Sequence, residues 1–235
     1  MKTIIYLAFL GFGCLSCQNN HVLVFTKTAD FRHDSIETGI EMVMQMGEEN
    51  AFEVMHSEDA TMFENDRLKT YDLIIFLNTS GDILNKNQQE GFKSYIQNGG
   101  SFMGIHSSTD TEHDWPWYGK LIGAYFVNHP EKSNAEMIIV DSMHQSTKHL
   151  PKRWVEFDEW YNFKYTNPEI NVLLKLDENT YKGGENGEFH PIAWYHNFEG
   201  GRVFYTGLGH TKALYSDPLF RKHILGGINY CLKNK

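Results

Sequence analysis

His106 ends the run Gly99-Gly100-Ser101-Phe102-Met103-Gly104-Ile105 and opens the polar stretch Ser107-Ser108-Thr109-Asp110. The glycine pair suits the left-handed end of a helix, Ser101 to Ile105 a short strand buried on both faces, and Gly104 a tight turn. Reactive groups in open α/β sheets collect just past the carboxyl ends of such strands. An imidazole placed there serves acid/base work or metal ligation near neutral pH. The order Gly104-Ile105-His106-Ser107-Ser108 imitates a nucleophile elbow, with imidazole in the nucleophile's place and serine where the closing glycine belongs. Ser107 therefore lacks the flanks of a hydrolase nucleophile. A histidine that merely caps the following turn is the plainer alternative for His106.

Two further segments place polar groups beyond apolar runs, Thr28-Ala29-Asp30-Phe31-Arg32-His33-Asp34 and Gly207-Leu208-Gly209-His210-Thr211. If the strands before them are parallel neighbours, His33, His106 and His210 face one crevice. Trp154 to Phe163 adds Asp158 and Glu159 among aromatic rings. Apolar neighbours raise a carboxyl pKa towards a general acid's range, and rings form platforms for sugar faces, although core packing explains a ring equally well. The resulting roles are His106 as base and Glu159 as acid, with His33 and His210 beside them. Arg32, Asp110, Asp158, Tyr161, His190 and Trp194 are the substrate contacts.

His129-Pro130 and His190-Pro191 are histidines fixed by a following proline, each able to line the pocket or to cap a loop. Metal binding needs at least three converging imidazoles or carboxylates, and the chain has no His-Glu-x-x-His pair. A divalent ion, if one is held, falls to His106, His129 and His210. His144 and His149 lie in a polar loop and read as exposed, while His113, His196 and His223 show no acidic partner in the sequence.

The elements that must position these groups alternate. His21 to Thr26 reads as a strand, Ile36 to Gly47 as a helix, Phe52 to His56 as a strand and Thr61 to Leu68 as a short helix. Asp72 to Leu77, the helix Asn85 to Asn98 and the strand Ser101 to Ile105 continue the rhythm. Such alternation predicts a doubly wound, mostly parallel sheet flanked by helices. Past residue 110, Trp115 to Ile122 reads as a helix. Ala135 to Val140, Asn171 to Leu176, Pro191 to Asn197 and Gly201 to Leu208 read as additional, antiparallel strands, with a hairpin at Glu199-Gly200-Gly201-Arg202. Asp217 to Leu232 closes the chain as a helix with Pro218 just inside its start.

A length of 235 residues suits one large domain, taken as 21–235. The net charge of -9 and pI near 5.7 offer no basic face for nucleic acid. Met1-Lys2 and the apolar run to Leu15 read as an export signal, and Cys14-Leu15-Ser16-Cys17 as a loose lipobox, so that residues 1–17 form a signal peptide and lipobox with cleavage before Cys17, lipid attached to Cys17 and the membrane reached by that anchor. Cys231 would then be the one remaining thiol, in a buried helix position, which rules out a disulfide within the mature domain.

The motifs at Gly104-Ile105-His106-Ser107, Asp158-Glu159-Trp160-Tyr161, His190-Pro191-Ile192-Ala193-Trp194 and Gly201 to Thr211 together resemble the ThuA-like (trehalose utilisation) family, from about residue 21 to the C-terminus. The resemblance implies a class I glutamine amidotransferase-like fold and a link to trehalose and other glycosides, often beside enzymes that act through 3-keto sugars. Glutaminase chemistry is not supported, because His106 occupies the elbow where a cysteine thiolate would stand. The expectation is an exported enzyme acting on a glycoside or 3-keto-glycoside by hydrolysis, elimination or isomerisation. A lipid-anchored sugar-binding module without turnover and a metal-dependent hydrolase are the alternatives.

Overall fold

The computed structural model describes residues 20–232, so the segment read as an export signal, with Cys14 and Cys17, lies outside the described residues. The chain runs through β1 (Asn20–Phe25), α1 (Ile36–Asn50), β2 (Phe52–Ser57), β3 (Leu73–Leu77), α2 (Lys86–Gln97) and β4 (Ser101–Ile105). There follow α3 (Pro116–Ile122), β5 (Ala124–Asn128), β6 (Ser133–Ile139), β7 (Arg153–Asp158), β8 (Asn162–Tyr165), β9 (Asn171–Asp177), β10 (Pro191–Phe198), β11 (Gly201–Thr206) and α4 (Pro218–Leu232).

Nine strands form one sheet in the order β2-β1-β3-β4-β11-β10-β9-β6-β7. The first five are mutually parallel and the remainder antiparallel, giving the expected α/β fold with helices flanking the sheet and antiparallel strands added from the C-terminal half. β3 and β4 are buried along their whole length, which is why they read as unbroken apolar runs instead of alternating ones. α1 turns Ile36, Ile40, Val43 and Gly47 towards the core. α2 starts where the Asn85 side chain accepts from the Gln88 N–H at 3.0 Å and the Gln88 side chain accepts from the Asn85 N–H at 3.0 Å.

Thr61 to Leu68 is not one helix. It divides into 3-10 turns at Ala60–Phe63 and Arg67–Thr70, because Asn65 and Asp66 between them take left-handed φ values of 54° and 60°. β5, β7 and β8 were not anticipated as strands. β5 and β8 pair antiparallel in a separate two-stranded sheet, and β7 pairs with β6 at the edge of the large one. Cys231 is buried in α4 as expected, and among the described residues no helix is long and apolar enough to cross a membrane.

Because β1, β3, β4 and β11 run parallel, their carboxyl ends share one sheet edge. β1 lies between β2 and β3, so the chain order reverses direction there, the point at which open α/β sheets open a crevice. Bridges between Thr28 and Ser80 and between Gly81 and Thr111 tie the loops after β1, β3 and β4 together at that edge.

Candidate functional site

Each of three parallel strands delivers one histidine to this edge. The loop after β1 carries His33, β4 ends directly on His106, and the loop after β11 carries His210. The turn between β7 and β8 adds Glu159 from the antiparallel half. His106 itself adopts φ 49°, an uncommon conformation for a side chain larger than glycine. The elbow-like turn read from the sequence is thus present. Gly104 is required beneath it, because a Cβ there would collide with Ile122 and with the Ser108 hydroxyl.

The His106 Nδ1–H donates to the Gly207 carbonyl at 2.8 Å, which leaves Nε2 facing Glu159 Oε2 at 3.5 Å and His210 Nδ1 at 3.3 Å. His210 Nδ1 in turn lies 3.1 Å from Glu159 Oε2. The His33 ring stands nearly perpendicular to both, 4.9 Å from His106 and 5.1 Å from His210, with Nδ1 3.3 Å from the Ser107 hydroxyl. His33, His106, Glu159 and His210 each offer one ligand atom, all within 4.8 Å of one another.

Charge follows from this packing. Burial pushes the Glu159 carboxyl up, but hydrogen bonds and charge from His106 and His210 outweigh it and hold it well below the usual carboxylate range. The rise expected for an acid among aromatics does not occur, and Glu159 stands as an anionic partner of the histidines. Burial, reinforced by the charges of His106 and His210, drives His33 down to about 2 and keeps it neutral.

The other expected residues divide. Tyr161 does reach the site, its ring 4.3 Å from that of His106 and backed by Phe126 at 4.2 Å. His129 touches the outer oxygen of the carboxylate, Nδ1 to Glu159 Oε1 at 3.3 Å, and lies outside the four-donor group. Asp110 pairs with His113 at 2.9 Å, the acidic partner that the sequence did not reveal. Arg32 pairs with Glu58 at 2.8 Å and Glu37 at 3.0 Å.

Asp158, His190 and Trp194 are buried and held by groups of the protein itself. Asp158 is fully buried and accepts backbone N–H groups from Gly209, His210 and Thr211. His190, also fully buried, sits between Glu178 Oε1 at 2.7 Å and the Tyr161 carbonyl at 2.8 Å. Trp194 is closed into the core against Tyr205, donating its indole N–H to the Ile122 carbonyl at 2.8 Å. His144 and His149 are half-buried instead of exposed, the first stacked on Tyr195 and the second facing the Leu219 carbonyl at 3.0 Å.

Sequence reasoning passed over two contributors. Phe31 is 64% exposed with its ring 4.8 Å from His33, an apolar face at the mouth of the cluster. Asn78 follows β3 and donates to the Gly209 carbonyl at 3.2 Å and to Ser35 at 3.0 Å, fixing the loop that carries His210. Its place just past a buried parallel strand was the available signal.

Comparison with known proteins agrees with the architecture. A family model described as ThuA, trehalose utilisation, matches residues 21–231. Among solved structures, a ThuA-like protein from Bacteroides uniformis superposes with a TM-score of 0.78 at 22% identity, covering 96% of this chain and 97% of that one. A ThuA-like protein from Parabacteroides merdae gives a TM-score of 0.76 at 18% identity over 93% and 91%. At these identities the likeness shows the fold, and no curated protein matches the sequence.

Proposed function

Because the chain belongs to the ThuA, or trehalose utilisation, family, we propose that it is an exported enzyme of carbohydrate catabolism that acts on a glycoside or 3-keto-glycoside through its histidine–glutamate cluster. The observation that carries this reading is the meeting of His33, His106, His210 and Glu159 at the carboxyl edge of a parallel sheet, with an exposed aromatic, Phe31, beside them. An imidazole with a free ring nitrogen suits removal of a proton beside a sugar ketone, and an exposed ring suits the apolar face of a pyranose.

His106 serves as base through Nε2, the nitrogen left facing the cluster once Nδ1 is bound to Gly207. His210 takes the acid role that the anionic Glu159 does not fill, and Glu159 holds both rings in register. Export and attachment at Cys17 are read from the basic start, the apolar run and the cysteine of residues 1–17.

A screen of the mature domain against oxidised and unoxidised disaccharides tests the assignment. Conversion of a 3-keto-glycoside is expected, with a loss on the order of 10²-fold or more in His106→Ala, the share a general base supplies. Wild-type rates in a folded His106→Ala protein would remove His106 from the chemistry. Sugar binding without any product, with and without added metal, would favour the non-catalytic module instead.

A further inference from the structure

We propose that His106 Nε2, His210 Nδ1 and Glu159 Oε2 hold one divalent cation of the zinc class, in a three-ligand site whose open position faces His33. The cation's catalytic consequence rests on the sugar-enzyme reading, whereas its binding is measured without turnover.

The first ground is hydrogen-bond accounting. A carbonyl oxygen only accepts, so the 2.8 Å contact with Gly207 places the hydrogen of His106 on Nδ1. Nε2 then points a lone pair at a carboxylate oxygen 3.5 Å away and at an imidazole nitrogen 3.3 Å away. His210 Nδ1 has one hydrogen at most to share, and it lies 3.1 Å from that same oxygen. Three electron-rich atoms converge on a point that needs positive charge, from an extra proton or from a metal ion.

The second ground is size. Metal–ligand distances of about 2.0–2.1 Å in a tetrahedral site separate neighbouring ligand atoms by about 3.3 Å. The three edges here are 3.1, 3.3 and 3.5 Å. Two imidazoles and one carboxylate form a borderline donor set that suits zinc and its first-row neighbours over magnesium or calcium.

The third ground is support behind the ligands. The Gly207 carbonyl orients His106, Asp158 fixes the backbone on either side of His210, and His129 lies against the outer oxygen of Glu159 at 3.3 Å. Lys132 Nζ lies 3.5 Å from His210 Nε2 on the far side of that ring. Being exposed, it turns to solvent when Nδ1 ligates and Nε2 carries the hydrogen. His33, 3.3 Å from the Ser107 hydroxyl, lies beside the open position, where the cation would polarise a substrate oxygen; in the loaded protein His106 Nε2 and His210 Nδ1 are ligands and no longer the base and acid of the metal-free reading.

The test uses the mature protein freed of metal by a chelator and titrated with zinc against a chromophoric chelator. One equivalent is expected to bind. His106→Gln, His210→Gln and Glu159→Gln should each weaken binding by more than the roughly 10–100-fold that loss of an outer-shell partner costs, and His33→Gln by less than about tenfold. His21→Gln, at a half-buried histidine paired with Glu53 away from the cluster, serves as the unaffected control. Cobalt(II) in the wild type should give the visible absorption of a four-coordinate ion, which a merely structural effect of Glu159→Gln would not remove. Absence of stoichiometric zinc, or affinity unchanged in the His106→Gln/His210→Gln double variant, overturns the site. A loss in His33→Gln as large as in His106→Gln overturns the open position. Full sugar turnover by metal-free protein defeats the cation but spares the sugar reading, while stoichiometric zinc without conversion of any sugar does the reverse.

Discussion

Asp158 Oδ2 lies 2.7 Å from the backbone nitrogen of Gly209, and Oδ1 lies 3.0 Å from that of Thr211. The carboxylate adjacent to Glu159 in sequence is therefore committed to the loop that carries His210. Gly209 takes φ 123°, and a Cβ there would press on the Tyr215 hydroxyl at 2.8 Å, so the loop has little freedom of its own.

Asp158→Asn should consequently act through that loop. An amide has one acceptor oxygen where the carboxylate has two, so at least one backbone N–H loses its partner. Hydrogen bonds to a charged group are worth about 1.5–3 kcal/mol each, which sets the stability loss expected in urea unfolding. Turnover should fall with His210 displaced, while binding of substrate to the rest of the crevice changes less. A variant of unchanged stability would show that the carboxylate does not brace the loop.

Trp194→Phe separates a core role from a binding role. The substitution leaves the Ile122 carbonyl without its indole donor and opens a void beside Tyr205. An unsatisfied buried acceptor costs about 1–3 kcal/mol, so thermal unfolding should move down. The KM for any sugar converted by the wild type should stay where it is. A raised KM at unchanged stability would return Trp194 to the substrate pocket.

Much of the crevice was legible because parallel strands announce themselves. Val22 to Phe25, Leu73 to Leu77 and Ser101 to Ile105 are apolar runs that end abruptly in polar residues, and strand ends in such sheets share one edge. His33, His106 and His210 came together for that reason. The division of labour between Asp158 and Glu159 was not legible, because it depends on where β7 ends. Asp158 is the last residue of that strand, opposite Ser133 of β6, and only its neighbour escapes into the crevice. The burial of Trp194 was not legible because β10 is buried through its first four residues, so no alternation marks a pocket side. The ion pair of Arg32 was not legible because its partner Glu58 lies 26 residues away, beyond β2.

Localisation turns on Cys17. If the leader directs export and Cys17 is lipidated, the anchor lies only a short way ahead of β1 at Asn20 and holds the domain close to the membrane. More than one acyl chain, each contributing ~0.8 kcal/mol per buried CH₂, gives stable attachment where a single chain is marginal. Cys17→Ser should move the protein to the soluble fraction with the folded domain unchanged. Wholly membrane-bound mutant, or wholly soluble wild type, would refute lipid attachment.

Acid stability offers a test of the core away from the site. His223 in α4 is fully buried, its Nδ1–H donating to the Ser146 carbonyl at 2.9 Å, with the Phe204 ring 5.4 Å away. Burial, aided by the charges of His149 and His144 and opposed by the Ser146 hydrogen bond, lowers its pKa from 6.5 to about 3. The unfolded chain thus takes up a proton as pH falls through 6.5, while the folded chain declines one until about 3. Stability must drop across that window, by about 1.4 kcal/mol per pH unit once the unfolded group is fully protonated, and is unaffected by this group above it. His223→Gln keeps a donor for Ser146 and removes the titration. Its unfolding free energy should lie below the wild type's at pH 7 by a roughly constant amount, and the difference should shrink or reverse as pH falls from 6 to 4. Parallel pH profiles for the two proteins would mean that His223 does not stay neutral in the fold.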